Sequence, residues 1–166
     1  MSAVKPHEWE TRFHALLPLY GHRNWIVVAD SAYPAQARAA IETIVADAEQ
    51  IDVVRAVRDA IHASRHARAN IYVDQELAFV DEKDAPGVSD FRKQLDQTLY
   101  GAQLSRLPHE QIIHKLDESA QLFRVLVIKT EMTIPYTSVF FELDCGYWNA
   151  GAEQRLRQAI LVASPK

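Results

Sequence analysis

A single cysteine, Cys145, stands in a chain of 166 residues, so no internal disulfide can form and a reducing compartment is expected. Its apolar neighbours Phe140, Phe141 and Leu143 mark it as a packed thiol, not a nucleophile. No apolar run approaches the length of a membrane span. Residues Met1 to Glu10 mix Lys5, His7 and Glu8 with no apolar centre, unlike a secretory signal, and a cytoplasmic protein is expected. Positive charge is also scarce. With 18 Lys and Arg against 22 Asp and Glu, the formal charge is −4. That excludes the basic footprint of a nucleic-acid binder. The local series Arg55, Arg58, Arg65 and Arg68 is interrupted by Asp52 and Asp59 and reads as a solvated helix face. With five glycines, the chain has no Walker loop, no dinucleotide fingerprint and no nucleophile elbow. Among its seven histidines, none belongs to a His-Glu-x-x-His zinc motif; His62 and His66 are four apart but enclose Ala-Ser-Arg. His7, His14, His62, His66 and His114 read as surface or core residues, and no metal is expected.

What is present is an ordinary globular composition, 48% hydrophobic and 24% charged, long enough for one domain with a sizeable core. Phe13, Leu16, Leu17 and Leu19 fit a helix from about Trp9 to Tyr20 that Pro18 disturbs near its end. Trp25 to Ala29 has the β-branched density of a strand buried on both faces. Residues 35–48 are rich in Ala, with Ile41, Ile44 and Val45 at helical spacing, and predict a second helix. A third follows Asp52 as N-cap. Asn70 to Val73 and Leu77 to Val80 read as one or two strands, and Asp81 to Ser89 as a surface loop. A helix over Asp90 to Tyr100, a connection from Gly101 to Leu107 and a helix over Glu110 to Ala120 follow, the last opened by Pro108. Leu122 to Ile128 and Thr137 to Leu143 are the remaining strands, and Gly151 to Val162 a terminal helix. There is no internal repeat and no low-complexity linker. Helices alternating with buried strands predict an α/β sheet covered on both faces.

The residues suited to chemistry are few. His22 follows a glycine at a strand entrance, where it either acts on a ligand or caps a turn carbonyl. Asp30 ends the first strand, where open α/β sheets place their ligands, and its alternative is a cap on the following amides. His109 before Glu110 is a site residue or a helix-start residue. Tyr136 is a rim or a core aromatic, whose hydroxyl needs a partner if buried. Histidines and hydroxyls without a metal or nucleophile motif are the equipment of proton transfer. His22 and Asp30 lie at opposite ends of one strand. They can serve one pocket only if the turn folds back or a neighbouring subunit is involved.

Gly21-His22 followed by Ala29-Asp30-Ser31-Ala32-Tyr33-Pro34 resembles the Gly-His…Asp-Ala-x-x-Pro segment of the D-ribose pyranase and L-fucose mutarotase family. Pro108-His109-Glu110-Gln111 resembles its His-Glu-Gln segment. Glu131…Pro135-Tyr136-Thr137-Ser138, ahead of Gly146, resembles its Gly-Glu…Pro-Tyr-x-Asn segment. Order and spacing agree across about Leu16 to Tyr147. The resemblance implies a three-layer α/β/α fold with a central, mostly parallel or mixed sheet over residues 1–148, extended by a helical tail over 149–166. It implies a cofactor-independent sugar mutarotase or pyranase, an isomerase that opens and recloses a monosaccharide. His22 would be the acid/base, while Asp30, His109, Tyr136 and Ser138 would hold the sugar hydroxyls. A homo-oligomeric ring, commonly a decamer, would build each site between subunits. Ser138 replaces the family's Asn and is shorter. It motivates the alternative of a non-catalytic sugar-binding or scaffold ring protein on the same fold. Thr130 occupies the place of a small residue before Glu131. Phe123, Tyr147 and Trp148 are candidates to narrow the pocket or stack on a sugar.

Overall fold

The computed structural model describes residues 7–164. The targeting expectation drawn from Met1 to Glu10 lies in part outside them, and its described end, from Glu8, is the start of a helix. The first strand, β1 (Trp25–Ala29), is buried along its whole length, as its β-branched sequence requires. Trp25, Val27 and Ala29 face one layer and Ile26 and Val28 the other. Beside β1 lie β5 (Val125–Lys129), running parallel, and β6 (Val139–Cys145), running antiparallel. With β2 (Ile41–Val45), β3 (Ala67–Asp74) and β4 (Leu104–Leu107), the described residues form one six-stranded sheet. Its order is β2-β5-β1-β6-β3-β4, and only β6 opposes the others.

The helices cover the two faces unequally. On one side α1 (Glu8–Leu16), α2 (Gln50–Ala63) and α3 (Val88–Thr98) bury Phe13, Val54, Val57 and Phe91 against Ile26, Val28 and Phe141. On the other side α4 (His109–Ala120) lies alone, with Ile112 and Leu116 against Trp25, Val27 and Phe140. The expected three layers are therefore present. The second outer layer is thin, and the loop after β1 covers part of it through Tyr33. A fifth helix, α5 (Ala150–Ala163), contains no buried residue.

Several local expectations need correction. Residues 35–48 are not a helix. They form an open loop and then β2, paired to β5 through Ile41–Val45. The slot beside β5 selects an extended run of β-branched Ile41, Thr43, Ile44 and Val45 over the helical preference of the alanines before it. Leu77 to Val80 is not a strand; Gln75–Phe79 is a 3-10 turn that buries only Leu77. The connection at Gly101 to Leu107 contains β4, a short edge strand beside β3. Helix α2 starts at Gln50, so Asp52 sits in its first turn and pairs with Arg55 instead of capping. The first helix ends at Leu16 and Pro18 sits within a 3-10 turn, Leu17–Leu19. Pro108 is the N-cap residue of α4.

Candidate active site

Five strands run parallel, so their carboxyl ends gather at one edge of the sheet, with the start of β6 between β1 and β3. Three polar groups follow from this topology. Asp30 leaves the end of β1, Asp74 closes β3, and Ser138 enters β6 between them. Helix α4 starts at the same edge and brings His109, and the loop before β6 brings Tyr136. Together they line a cleft of about 670 Å³, walled by Tyr33, Pro34, Ile113, Met132, Ile134 and Pro135. Such a volume lies within the range of small-molecule sites, on the order of 300–1,000 Å³.

Each polar group is held. The Asp30 carboxylate accepts the Ala32 amide at 3.0 Å, and the Asp30 amide donates to the Ser138 hydroxyl at 3.4 Å. The amide of His109 donates to both oxygens of Glu76 at 3.1 Å, which fixes the first turn of α4. Its ring Nδ1 lies 3.0 Å from Asp74 Oδ2, so its Nε2 is the nitrogen left for a ligand. The Tyr136 ring stands edge-on to the imidazole, with centroids 5.8 Å apart. Tyr136 has φ +60°, a left-handed conformation uncommon for a non-glycine residue, in the loop that carries it to the rim.

Below the cleft, Gln50 ties the layers together. Its amide nitrogen donates to the carbonyls of Val28 and Thr137, and its oxygen accepts from the Thr130 hydroxyl at 2.5 Å. Thr130 also lies within reach of the Ala29 carbonyl, at 3.1 Å. This buried network anchors the loop carrying Tyr136 to the end of β1.

Asp74 is the group that sequence reading missed. Its side chain is 1% exposed, and Oδ1 has no hydrogen-bond partner among the described residues. Burial pushes its carboxyl up to about 6, against the lowering effect of His109; Glu76 and Asp30 add to the rise. A buried carboxyl poised near neutrality, bonded to an imidazole that faces a cleft, is equipment for moving a proton. The signal in the sequence was a carboxylate closing a β-branched run, Ile71 to Asp74, just as Asp30 closes β1. The uncertain strand count around Gln75 concealed it. Tyr33, whose phenol is raised to about 12 by burial first and then by Asp117, Asp74 and Asp30, stays a protonated hydrogen-bond donor.

His22 is not in this cleft. It stands before β1, at the other end of the sheet, on the order of 20 Å from Asp30 for a straight strand. There its Nδ1 lies 2.9 Å from Asp144 Oδ1, while Asp144 also holds Arg68 at 2.7 Å. Asp144 is lowered, chiefly by its hydrogen bond to Arg68. The side chain of His22 is 57% exposed. One protomer thus brings together Asp30, His109, Tyr136 and Ser138, and leaves His22 on its far side. Phe123 lies at that far end under the Arg23 guanidinium, 5.6 Å from the ring centroid, and Tyr147 and Trp148 are exposed. None of the three lines the cleft. Among the described residues no group of three or more His, Cys, Asp or Glu is arranged to hold a metal ion, and no helix is long and apolar enough to cross a membrane.

The model of the RbsD / FucU transport protein family matches residues 10–145. The chain belongs to that family. No curated protein sequence matches it. The fold is similar to that of Bacillus subtilis RbsD, solved in complex with D-ribose, with a TM-score of 0.58 at 15% identity over 86% of this chain and 98% of the other. FucU from Bifidobacterium longum aligns with a TM-score of 0.52 at 12% identity, over 81% and 94% of the two chains. The fucose mutarotase of Streptococcus pneumoniae, solved with L-fucose, aligns with a TM-score of 0.51 at 17% identity, over 78% and 89%. These likenesses establish the RbsD / FucU fold. The family match ends at Cys145 and leaves α5 outside it.

Proposed function

We propose that the protein is a cytoplasmic, cofactor-independent sugar mutarotase or pyranase whose site forms between two copies of the chain. The observation that carries this reading is the convergence of Asp30, His109, Tyr136 and Ser138 on one cleft of a family member. Two of the structural relatives were solved with D-ribose and L-fucose. A hydroxyl-rich ligand suits a cleft that offers carboxylate, imidazole, phenol and hydroxyl groups over an apolar wall.

Opening a cyclic aldose needs a proton delivered to the ring oxygen and one removed from the anomeric hydroxyl. The bond from the anomeric carbon to the ring oxygen breaks as the carbonyl forms. After rotation of the aldehyde, the reverse transfers close either face, and no net proton is consumed. His109, oriented by Asp74, is one such group within the cleft. The other is His22 of a second copy, whose exposed imidazole is backed by Asp144. General acid–base help is worth about 10²–10⁴-fold, which suffices for a reaction that already proceeds in water.

Charge supports a head-to-tail contact. The cleft edge carries Asp30, Asp74, Glu76 and Glu110 with Lys129, whereas the opposite end carries His22, Arg23, Arg65, Arg68 and Arg124 around Asp144. A repeated heterologous contact of this kind closes into a ring when its rotation allows, and the decamer of the family is the expected size. Saturation-transfer NMR of ribose, fucose and other aldoses tests the reading. Accelerated anomer or ring-form exchange, abolished in His22→Ala with sugar binding retained, supports it. A folded oligomer that accelerates no aldose would replace it with the non-catalytic ring protein.

A further inference from the structure

Helix α5 is a 14-residue element without a buried residue, and an isolated helix of about that length is marginal in water. Ala152, Leu156, Ala159, Ile160 and Ala163 share one side of it, by the spacing of an amphipathic helix. Leu156 and Ile160 are 42% and 49% exposed, and the neighbouring Leu161 and Val162 are 71% and 85% exposed. Its start is well fixed. Asn149 accepts the Ala152 amide at 2.9 Å, and the Trp148 indole donates to Glu153. Gly146 lets the chain turn off β6 where a Cβ would meet the Ala67 amide and the Arg65 carbonyl at 2.8 Å.

The root of α5 is the end of the sheet that holds His22. Asp144, bonded to His22, precedes the first residue of α5 by six positions, a reach of at most about 20 Å. A partner that receives His22 is therefore within reach of the root of α5. The cleft has what the helix lacks. Its volume leaves space beside a single sugar ring, Ile113, Ile134 and Pro135 are incompletely buried, and Glu110 is an exposed carboxylate. Alongside the apolar side of α5 stands Arg155, whereas Arg157 is already paired with Glu153 at 2.6 Å.

We infer that α5 is an assembly arm that docks on a second copy of this chain. It lies along the rim of the cleft that receives its own protomer's His22, with the Leu156 and Ile160 side against Ile113 and Ile134 and Arg155 toward Glu110. It narrows the mouth over the sugar. The inference rests on the shared-site reading, and it assigns a role to the one helix outside the family match.

The test uses the full chain with Cys145→Ser and paired cysteines at Leu156 and Glu110. Mild oxidation is expected to give disulfide-linked dimers and a ladder on a denaturing gel. A control pairing Leu156 with Tyr100, which is 92% exposed at the opposite end of the sheet from the cleft, is expected to stay monomeric on the gel. No ladder, or equal ladders from both pairs, overturns the arm, and so does a chain that is monomeric by light scattering. Ending the chain at Asn149 removes no buried side chain, so the remainder keeps its fold. That variant is expected to dissociate at a higher protein concentration and to raise the KM for the sugar about 10-fold. Unchanged assembly and KM overturn the proposal. A full chain that cross-links as expected yet exchanges no sugar overturns the mutarotase reading and leaves the arm standing.

Discussion

Replacing Asp74 with Asn tests the electrostatics of the cleft in a quantity separate from activity. The folded carboxyl is raised to about 6 from an ordinary value of 3.8, because a side chain 1% exposed loses its hydration and gains only one imidazole partner. Between those values the folded state binds more protons than the unfolded chain, so stability falls as pH rises through the window. The cost is absent below about 3.8 and complete above about 6. A difference of roughly two pKa units at about 1.4 kcal/mol each gives a cost on the order of 3 kcal/mol at pH 8. Asn removes that cost, and its amide oxygen can still accept from His109 Nδ1. The expected result is a variant more stable than the parent at pH 8 by no more than about 1–2 kcal/mol, after the loss of the charge-assisted hydrogen bond and the burial of an amide NH2 where Oδ1 has no partner among the described residues. Its stability should also vary less between pH 4 and 6. Urea unfolding at pH 4.5, 6 and 8, at one fixed protein concentration because the chain is expected to assemble, measures both. A variant less stable than the parent at pH 8, with the same dependence on pH, would refute the reasoning.

Three further outcomes are expected. Gln50→Ala takes the side-chain donor from the Val28 and Thr137 carbonyls and leaves the Thr130 hydroxyl only the Ala29 carbonyl to donate to, and should cost about 1–3 kcal/mol in chemical denaturation and weaken sugar binding together. Gly146→Ala drives a methyl into backbone at 2.8 Å and should destabilise by about 1–3 kcal/mol, with amide exchange accelerating first where β3 meets β6. Tyr136→Gly removes left-handed strain and should leave stability within about 1 kcal/mol of the parent, while sugar affinity by calorimetry falls with the lost ring beside His109.

The sequence by itself determined the α/β class, the buried first strand and the motif positions Asp30, His109, Tyr136 and Ser138, which line the cleft. Those signals are local: a β-branched run ended by a carboxylate, a proline before a helix, and spaced motifs that resemble one family. It did not determine β2, because alanines and β-branched residues share that stretch and only the slot beside β5 decides between helix and strand. Nor did it reveal the Asp74 and His109 pair, since 35 positions separate the partners and the contact exists only once β3 and α4 meet at one edge. The sequence already put His22 and Asp30 at opposite ends of one strand; only the tertiary structure decided that the turn at His22 goes to Asp144 and does not fold back to the cleft. A strand is a rigid spacer of about 3.3 Å per residue, so the distance between its ends is fixed by pairing in the sheet, and one protomer cannot bring both residues to one sugar.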